Sequence, residues 1–123
     1  MSFRLFPSRT AKGRHFEQDA ERWLKQQGLS PVARNVRYRG GELDLVMKEG
    51  PLWVFVEVKY RSQTGFGGAV HAISRAQQAR LWQSARRFLK EQGLNEWDCQ
   101  CRFDVVIYEG EQGPLWLKGA FGI

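Results

Sequence analysis

Gly40-Gly41-Glu42-Leu43-Asp44-Leu45-Val46 and Trp53-Val54-Phe55-Val56-Glu57-Val58-Lys59-Tyr60-Arg61 are two apolar runs, joined by Met47-Lys48-Glu49-Gly50-Pro51-Leu52. Gly and Pro do not continue a regular ladder, so Glu49-Gly50-Pro51 predicts a hairpin turn between two strands. The acids and the lysine lie inside the runs, not in the turn. Strand side chains alternate, so Glu42 and Asp44 share a face, and Glu57 and Lys59 share a face. Val54, Val56 and Val58 point the other way, into a core. An unpaired buried carboxylate is costly, so a strand that carries one pairs it or gives it a metal. Asp44, a spacer of twelve residues, then Glu57-Val58-Lys59 sets two carboxylates and an amine on adjacent strands. Such a set can hold a divalent ion and a water beside a phosphate.

An acid followed at a distance by Glu-x-Lys is similar to the nuclease signature of the restriction-endonuclease-like fold. The fuller pattern is Gly-Gly-Glu-Leu-Asp-Leu-Val, Phe-Val-Glu-Val-Lys-Tyr-Arg and Arg102-Phe103-Asp104-Val105-Val106. It resembles the small YraN family, grouped with endonucleases and related to archaeal Holliday-junction resolvases. The resemblance runs from Gly13 to Val106. It implies an α/β, restriction-endonuclease-like fold with a mixed central sheet of four to five strands flanked by two helices. It also implies a Mg²⁺-dependent endonuclease, with Mn²⁺ as the other candidate ion, hydrolysing phosphodiester bonds in DNA. Branched DNA such as a Holliday junction is a candidate substrate on the same ground. Symmetric cutting of a junction needs two sites, hence a homodimer. On this resemblance Asp44 and Glu57 are direct ligands and, with Lys59, the catalytic residues. The Val58 backbone carbonyl is a further ligand. Glu42 or Glu17 completes the charge or holds metal waters. Lys59 positions the water and stabilises charge on the phosphate.

The chain of 123 residues is one domain of ordinary size, with an arm at 1–12 and a nuclease-like domain at 13–123. Lysine and arginine number 19 against 13 acids, a net charge of +6. Glu17, Glu42, Asp44 and Glu57 are placed near one site, so the rest of the surface is more basic still. A basic field favours polyanions, of which DNA is a common one, although it also serves solubility alone. Cys99 and Cys101 are one residue apart, a poor spacing for a disulfide, and two cysteines make no zinc site. Reduced thiols fit a cytoplasmic protein. No apolar run approaches the roughly 20 residues that cross a membrane, so no membrane partner is expected. No small-molecule cofactor is expected either.

Arg4, Arg9, Lys12 and Arg14 occur in a first segment free of acids, read as a flexible basic arm. Phe16, Ala20, Trp23 and Leu24 share a helical face that predicts a helix ending near Gln27, with Gly28 as its stop. Glu17 borders that face, with two readings open: a site residue or a surface glutamate. In the resembled family a helix-one glutamate stands here after a glycine; in this chain Phe16 replaces the glycine. A first strand is expected over Val32–Tyr38. It carries Arg34 and Arg37, with Arg39 just beyond, which suit phosphate contact or the protection of an edge. With Arg61 and Arg75 they form the candidate nucleic-acid-binding set. Ser62–Gly68 reads as a connector, without Walker spacing. Ser74 is a plausible cap for a helix to Glu91, with Gly93 as its stop and Ala76, Ala79, Trp82, Ala85 and Leu89 on its packing face. Arg102–Tyr108 is expected as a strand parallel to the third, because a helix intervenes. Asp104 inside it pairs with an arginine or supports the site. Leu115–Leu117 is expected as a short edge strand. Two rival readings remain: a nucleic-acid binder without catalysis, and a protein-interaction module on the same fold.

Overall fold

The computed structural model describes residues 11–61 and 73–122. The expected arm at 1–12 lies almost wholly outside that range, as does the Ser62–Gly68 connector.

Helix α1 spans Ala11–Gln26, followed by strands β1 at Ser30–Tyr38, β2 at Gly41–Glu49 and β3 at Leu52–Arg61. Helix α2 spans Arg75–Glu91, followed by β4 at Gln100–Glu109 and β5 at Leu115–Phe121. The five strands lie in sequence order in one sheet. β1, β2 and β3 form an antiparallel meander, and β3 pairs β4 in parallel across α2. β5 closes the far edge antiparallel to β4. This is the α/β fold with a mixed sheet that the motifs imply.

Each helix covers one face. On the α1 side, Ala20 and Leu24 pack on Leu45, Met47, Val54, Val56 and Val106. On the α2 side, Leu81, Ala85, Phe88 and Leu89 pack on Val46, Trp53, Phe55 and Phe103. Val54 and Val56 are buried as the alternation requires. Trp53 and Phe55, on the other face, are buried too, so the sheet is covered on both sides.

Both helices end as their glycines predict. Gly28 and Gly93 have φ of 103° and 80°, which costs a residue without a Cβ little. The Leu29 N–H donates to the Leu24 carbonyl at 3.1 Å, and that of Leu94 to Leu89 at 2.9 Å. These are the bonds of a Schellman ending. At the other end of α2, Ser74 Oγ accepts from the Gln77 N–H at 3.1 Å.

Three expectations are corrected. The strand β1 starts at Ser30 and includes Pro31, which an edge strand tolerates because no neighbour needs its missing N–H. The strand β5 runs on to Phe121, past Gly119, through a register shift opposite Asp104. On α2, Ala76 and Ala79 are exposed, and the buried face is Leu81, Ser84, Ala85, Phe88 and Leu89. The large side chains, not the early alanines, decide which way the helix turns.

Candidate functional site

The regular pairing of β2 with β3 runs from Glu49–Leu52 to Leu45–Val56. Beyond it the strands part, and Asp44 stands at the fork. Its Oδ2 accepts the Val58 N–H at 2.9 Å, a bond a backbone carbonyl would otherwise take. The alternation of β2 breaks at the same point. Leu43 packs on the α2 side and Leu45 on the α1 side, although two residues apart should share a face. Asp44 is therefore 4% exposed and hydrogen-bonded to the sheet by its own side chain.

Two groups of charges meet at Asp44. The first is acidic: carboxylate oxygens of Glu17, Glu42 and Asp44 all lie within 4.8 Å of one another. Glu17 comes from α1, where it is buried beside the apolar face. Phe16, in the place of the family's glycine, does not displace it. The Phe16 ring stacks on Tyr60 with centroids 4.4 Å apart and meets Tyr108 at 4.8 Å. Glu42 is half-buried at the start of β2, with Arg37 of β1 at 3.9 Å. The second group is mixed. Glu57 is close enough to Asp44 for the Asp44 carboxylate to raise the proton affinity of Glu57, and the Glu57 Oε2 lies 3.6 Å from Lys59 Nζ. Gln77 of α2 joins this group, donating from Nε2 to Glu57 Oε2 at 2.9 Å and accepting from Lys59 Nζ at 3.4 Å.

Electrostatics follow from burial. Desolvation pushes the Asp44 carboxyl up to about 6, opposed by the Val58 N–H and reinforced by Glu42. Glu57 is raised well above the ordinary carboxylate range, first by burial and then by Asp44. Acids so crowded titrate together and favour a bound proton or a cation. The donors are all oxygen, the set that suits a hard divalent ion such as Mg²⁺ or Mn²⁺. Among the described residues, Glu17, Glu42 and Asp44 form the group that could hold such an ion; Glu57, expected as a direct ligand, is not part of it and pairs instead with Lys59 and Gln77.

The remaining candidates are scattered around this centre. Arg34 is exposed but engaged: Nε and Nη2 donate to Glu21 of α1 at 2.8 and 2.6 Å. Glu21 is half-buried under that fork. Arg39 is exposed at the β1–β2 turn, Arg61 is half-buried at the end of β3, and Arg75 is exposed at the first turn of α2. Asp104 has a structural setting. It accepts two bonds from Arg102 at 2.8 and 2.9 Å, the Trp116 indole at 2.9 Å and the Gly119 N–H at 3.0 Å. Cys99 and Cys101 are free thiols. Among the described residues no helix is long and apolar enough to cross a membrane. Sequence reading missed Gln77. Its one signal was the Ser74-Arg75-Ala76-Gln77 spacing of a capping box, which puts a carboxamide at the first turn of α2.

The fold is shared with a Holliday junction resolvase, Hjc of the archaeal hyperthermophile Archaeoglobus fulgidus. The superposition has a TM-score of 0.57 at 18% identity, over 88% of this chain and 73% of that one. Relatives in sequence are nearer. A UPF0102 protein of Aeromonas hydrophila is 53% identical over 117 residues, 95% of this chain and 89% of that protein. One from Shewanella baltica is 50% identical over 109 residues, 89% of this chain and 97% of that protein. One from Colwellia psychrerythraea is 45% identical over 117 residues, 93% and 91% of the two chains. The profile of the uncharacterised protein family UPF0102 matches residues 16–108, from the helix that carries Glu17 to the end of the β4 core. The chain thus belongs to UPF0102, the YraN family that its Gly-Gly-Glu-Leu-Asp and Glu-Val-Lys motifs resemble.

Proposed function

We propose that this protein is a divalent-metal-dependent endonuclease acting on DNA, with branched DNA such as a four-way junction as its candidate substrate. The observation that carries this reading is Asp44. It joins an all-carboxylate cluster with Glu17 and Glu42 to the Glu57–Lys59 pair. The resolvase-like fold supports it, because a site of this kind at a strand fork suits phosphodiester chemistry.

Asp44 would be a ligand together with Glu17 and Glu42, whose carboxylate oxygens lie within 4.8 Å of its own, and Glu57 and the Val58 carbonyl would join as ligands on the resemblance to the nuclease fold. A bound ion would neutralise the phosphate and lower the pKa of a water. The protein's own part is fixed by geometry. Asp44 is held toward the site by the Val58 N–H. Lys59 is 30% exposed, so its ammonium can approach a phosphate oxygen while it stays near Glu57. Arg39, Arg61 and Arg75 would track the backbone of the DNA around it. Symmetric cutting of a junction would require a homodimer.

The test is cutting of labelled linear, flap and four-way-junction DNA, with and without Mg²⁺ or Mn²⁺. Wild type should cut at least one of these, and only with metal. Glu57→Ala and Lys59→Met should each lose about a hundredfold or more, the scale of removing one charge-stabilising group. A folded wild type that binds DNA in EDTA and cuts none of the panel favours a binding module instead.

A further inference from the structure

Gln77 belongs to none of the nuclease motifs. It is the third residue of α2, where Ser74-Arg75-Ala76-Gln77 has the form of a capping box. In such a box the carboxamide reaches back to the cap. Here the Gln77 backbone N–H uses the cap, but its side chain turns to the sheet. Nε2 donates to Glu57 Oε2 at 2.9 Å, and Oε1 accepts from Lys59 Nζ at 3.4 Å. The third side of the triangle is the Glu57–Lys59 contact at 3.6 Å.

We propose that Gln77 is a positioning residue, a clamp that fixes Glu57 and Lys59 relative to each other and so sets the rate of cleavage without touching DNA. This deepens the nuclease reading and rests on it. Three features carry the proposal. The amide has one orientation: its donor end must face the carboxylate and its acceptor end the ammonium, since a flip sets like against like at both ends. The amide is neutral, so it serves an acid and a base at once without changing the charge of the site. Finally, Glu57 and Lys59 need a third group. They lie two residues apart on one strand, 3.6 Å from each other, and Lys59 is a long side chain with free rotors. A loose pair of that kind holds no fixed geometry by itself. Gln77 supplies the constraint from a separate element, and its backbone is in turn pinned by Ser74. Displacement of either partner would slow the chemical step more than it weakens binding.

The experiment compares wild type, Gln77→Ala and Gln77→Glu. Its first arm is single-turnover cutting, on whichever DNA of the panel is cut, as a function of protein concentration. Gln77→Ala should lower the maximal rate by about tenfold to a hundredfold, the scale of one hydrogen bond to a charged group, with the half-saturating concentration unchanged. Gln77→Glu keeps the shape and the partner of Lys59 but sets a carboxylate against Glu57, so it should be slower than Gln77→Ala. A merely structural role would rank the isosteric Glu variant above Ala. Wild-type rates in Gln77→Ala, or a shift confined to half-saturation, would overturn the clamp. The second arm needs no cutting and uses the DNA-free protein. The side-chain NH₂ signals of Gln77 in a ¹H–¹⁵N spectrum should move in both Glu57→Gln and Lys59→Met. If neither moves them, the clamp is wrong whatever the rates. If wild type cuts no DNA, the nuclease reading falls, and this second arm alone decides whether the clamp exists.

Discussion

Asp44 shows how much a single side chain can carry. A carboxylate with about 4% of its residue exposed would be expected to seek an arginine, yet its neighbours are three more acids, one backbone N–H and a single cation, Lys59, shared with Glu57. The consequence is a stability that depends on pH in an unusual direction. An unfolded carboxyl titrates near 4, whereas burial raises Asp44 to about 6 and Glu57 well above its ordinary range. Between those values the folded protein holds protons that the unfolded chain has lost. Stability from this pair is thus full below about pH 4 and falls as pH rises through 6. On the proposed reading a divalent ion would replace the protons, so its effect would have the opposite trend. At a hundredfold excess over its dissociation constant an ion adds about 2.7 kcal/mol. Thermal denaturation with Mn²⁺ or with EDTA should therefore show a gain from Mn²⁺ that is larger at pH 8 than at pH 5. In Asp44→Asn that gain should shrink at both values, and in EDTA the loss of stability between pH 5 and 8 should be smaller than in wild type. A gain independent of pH would mean that the ion binds elsewhere.

Between elements, the decisive contact is where α2 crosses the start of β2. Gly41 has ordinary backbone angles, so it is there for space rather than for a turn. A Cβ at this position would run into Ser84 Oγ and lie 3.2 Å from the Arg80 carbonyl oxygen. Gly41→Ala should cost about 1–3 kcal/mol, the usual price of overpacking, read as a lower urea midpoint at unchanged slope. Ser84→Ala removes the hydroxyl but not the carbonyl, so it should recover part of that loss and no more. Full additivity of the two substitutions would refute the contact, because residues in contact do not add. This crossing also shows what was legible in the sequence and what was not. The hairpin, the stops at Gly28 and Gly93 and the parallel return of β4 all rest on short-range signals, and they are found where expected. The face of α2 was not so plain. Ala76 and Ala79 fit the helical period as well as Leu81 and Phe88 do, and only docking on Val46 and Phe55 chooses between them. Asp44 and Glu57-Val58-Lys59 were visible because acids inside apolar strands are costly. Gln77 was not, because its partners lie 18 and 20 residues away on another element.

At the scale of the molecule the net charge of +6 sets how DNA would be held, but charge counted along the chain overstates what is available to a ligand. Arg34 and Arg37 looked equivalent to Arg39 in the sequence. Within the fold, Arg34 forks onto Glu21 and ties the edge strand β1 to α1, and Arg37 faces Glu42. Arg39 and Arg75 are exposed at the β1–β2 turn and at the first turn of α2. Counterion release makes the distinction measurable. Each phosphate contact steepens the fall of log K with log salt by about 0.9. On the nuclease reading, Arg39→Gln and Arg75→Gln should each weaken binding and lower that slope by about one. Arg34→Gln should leave the slope alone and instead lower stability by about 0.5 kcal/mol, the scale of an exposed ion pair. Binding of a four-way junction in EDTA over a salt series, beside urea midpoints for the same variants, separates the two kinds of arginine. A slope that drops for Arg34→Gln and holds for Arg39→Gln and Arg75→Gln would move the DNA path to the α1–β1 side. The arginines that looked like one patch in the sequence would then have to be reassigned by the helix they face.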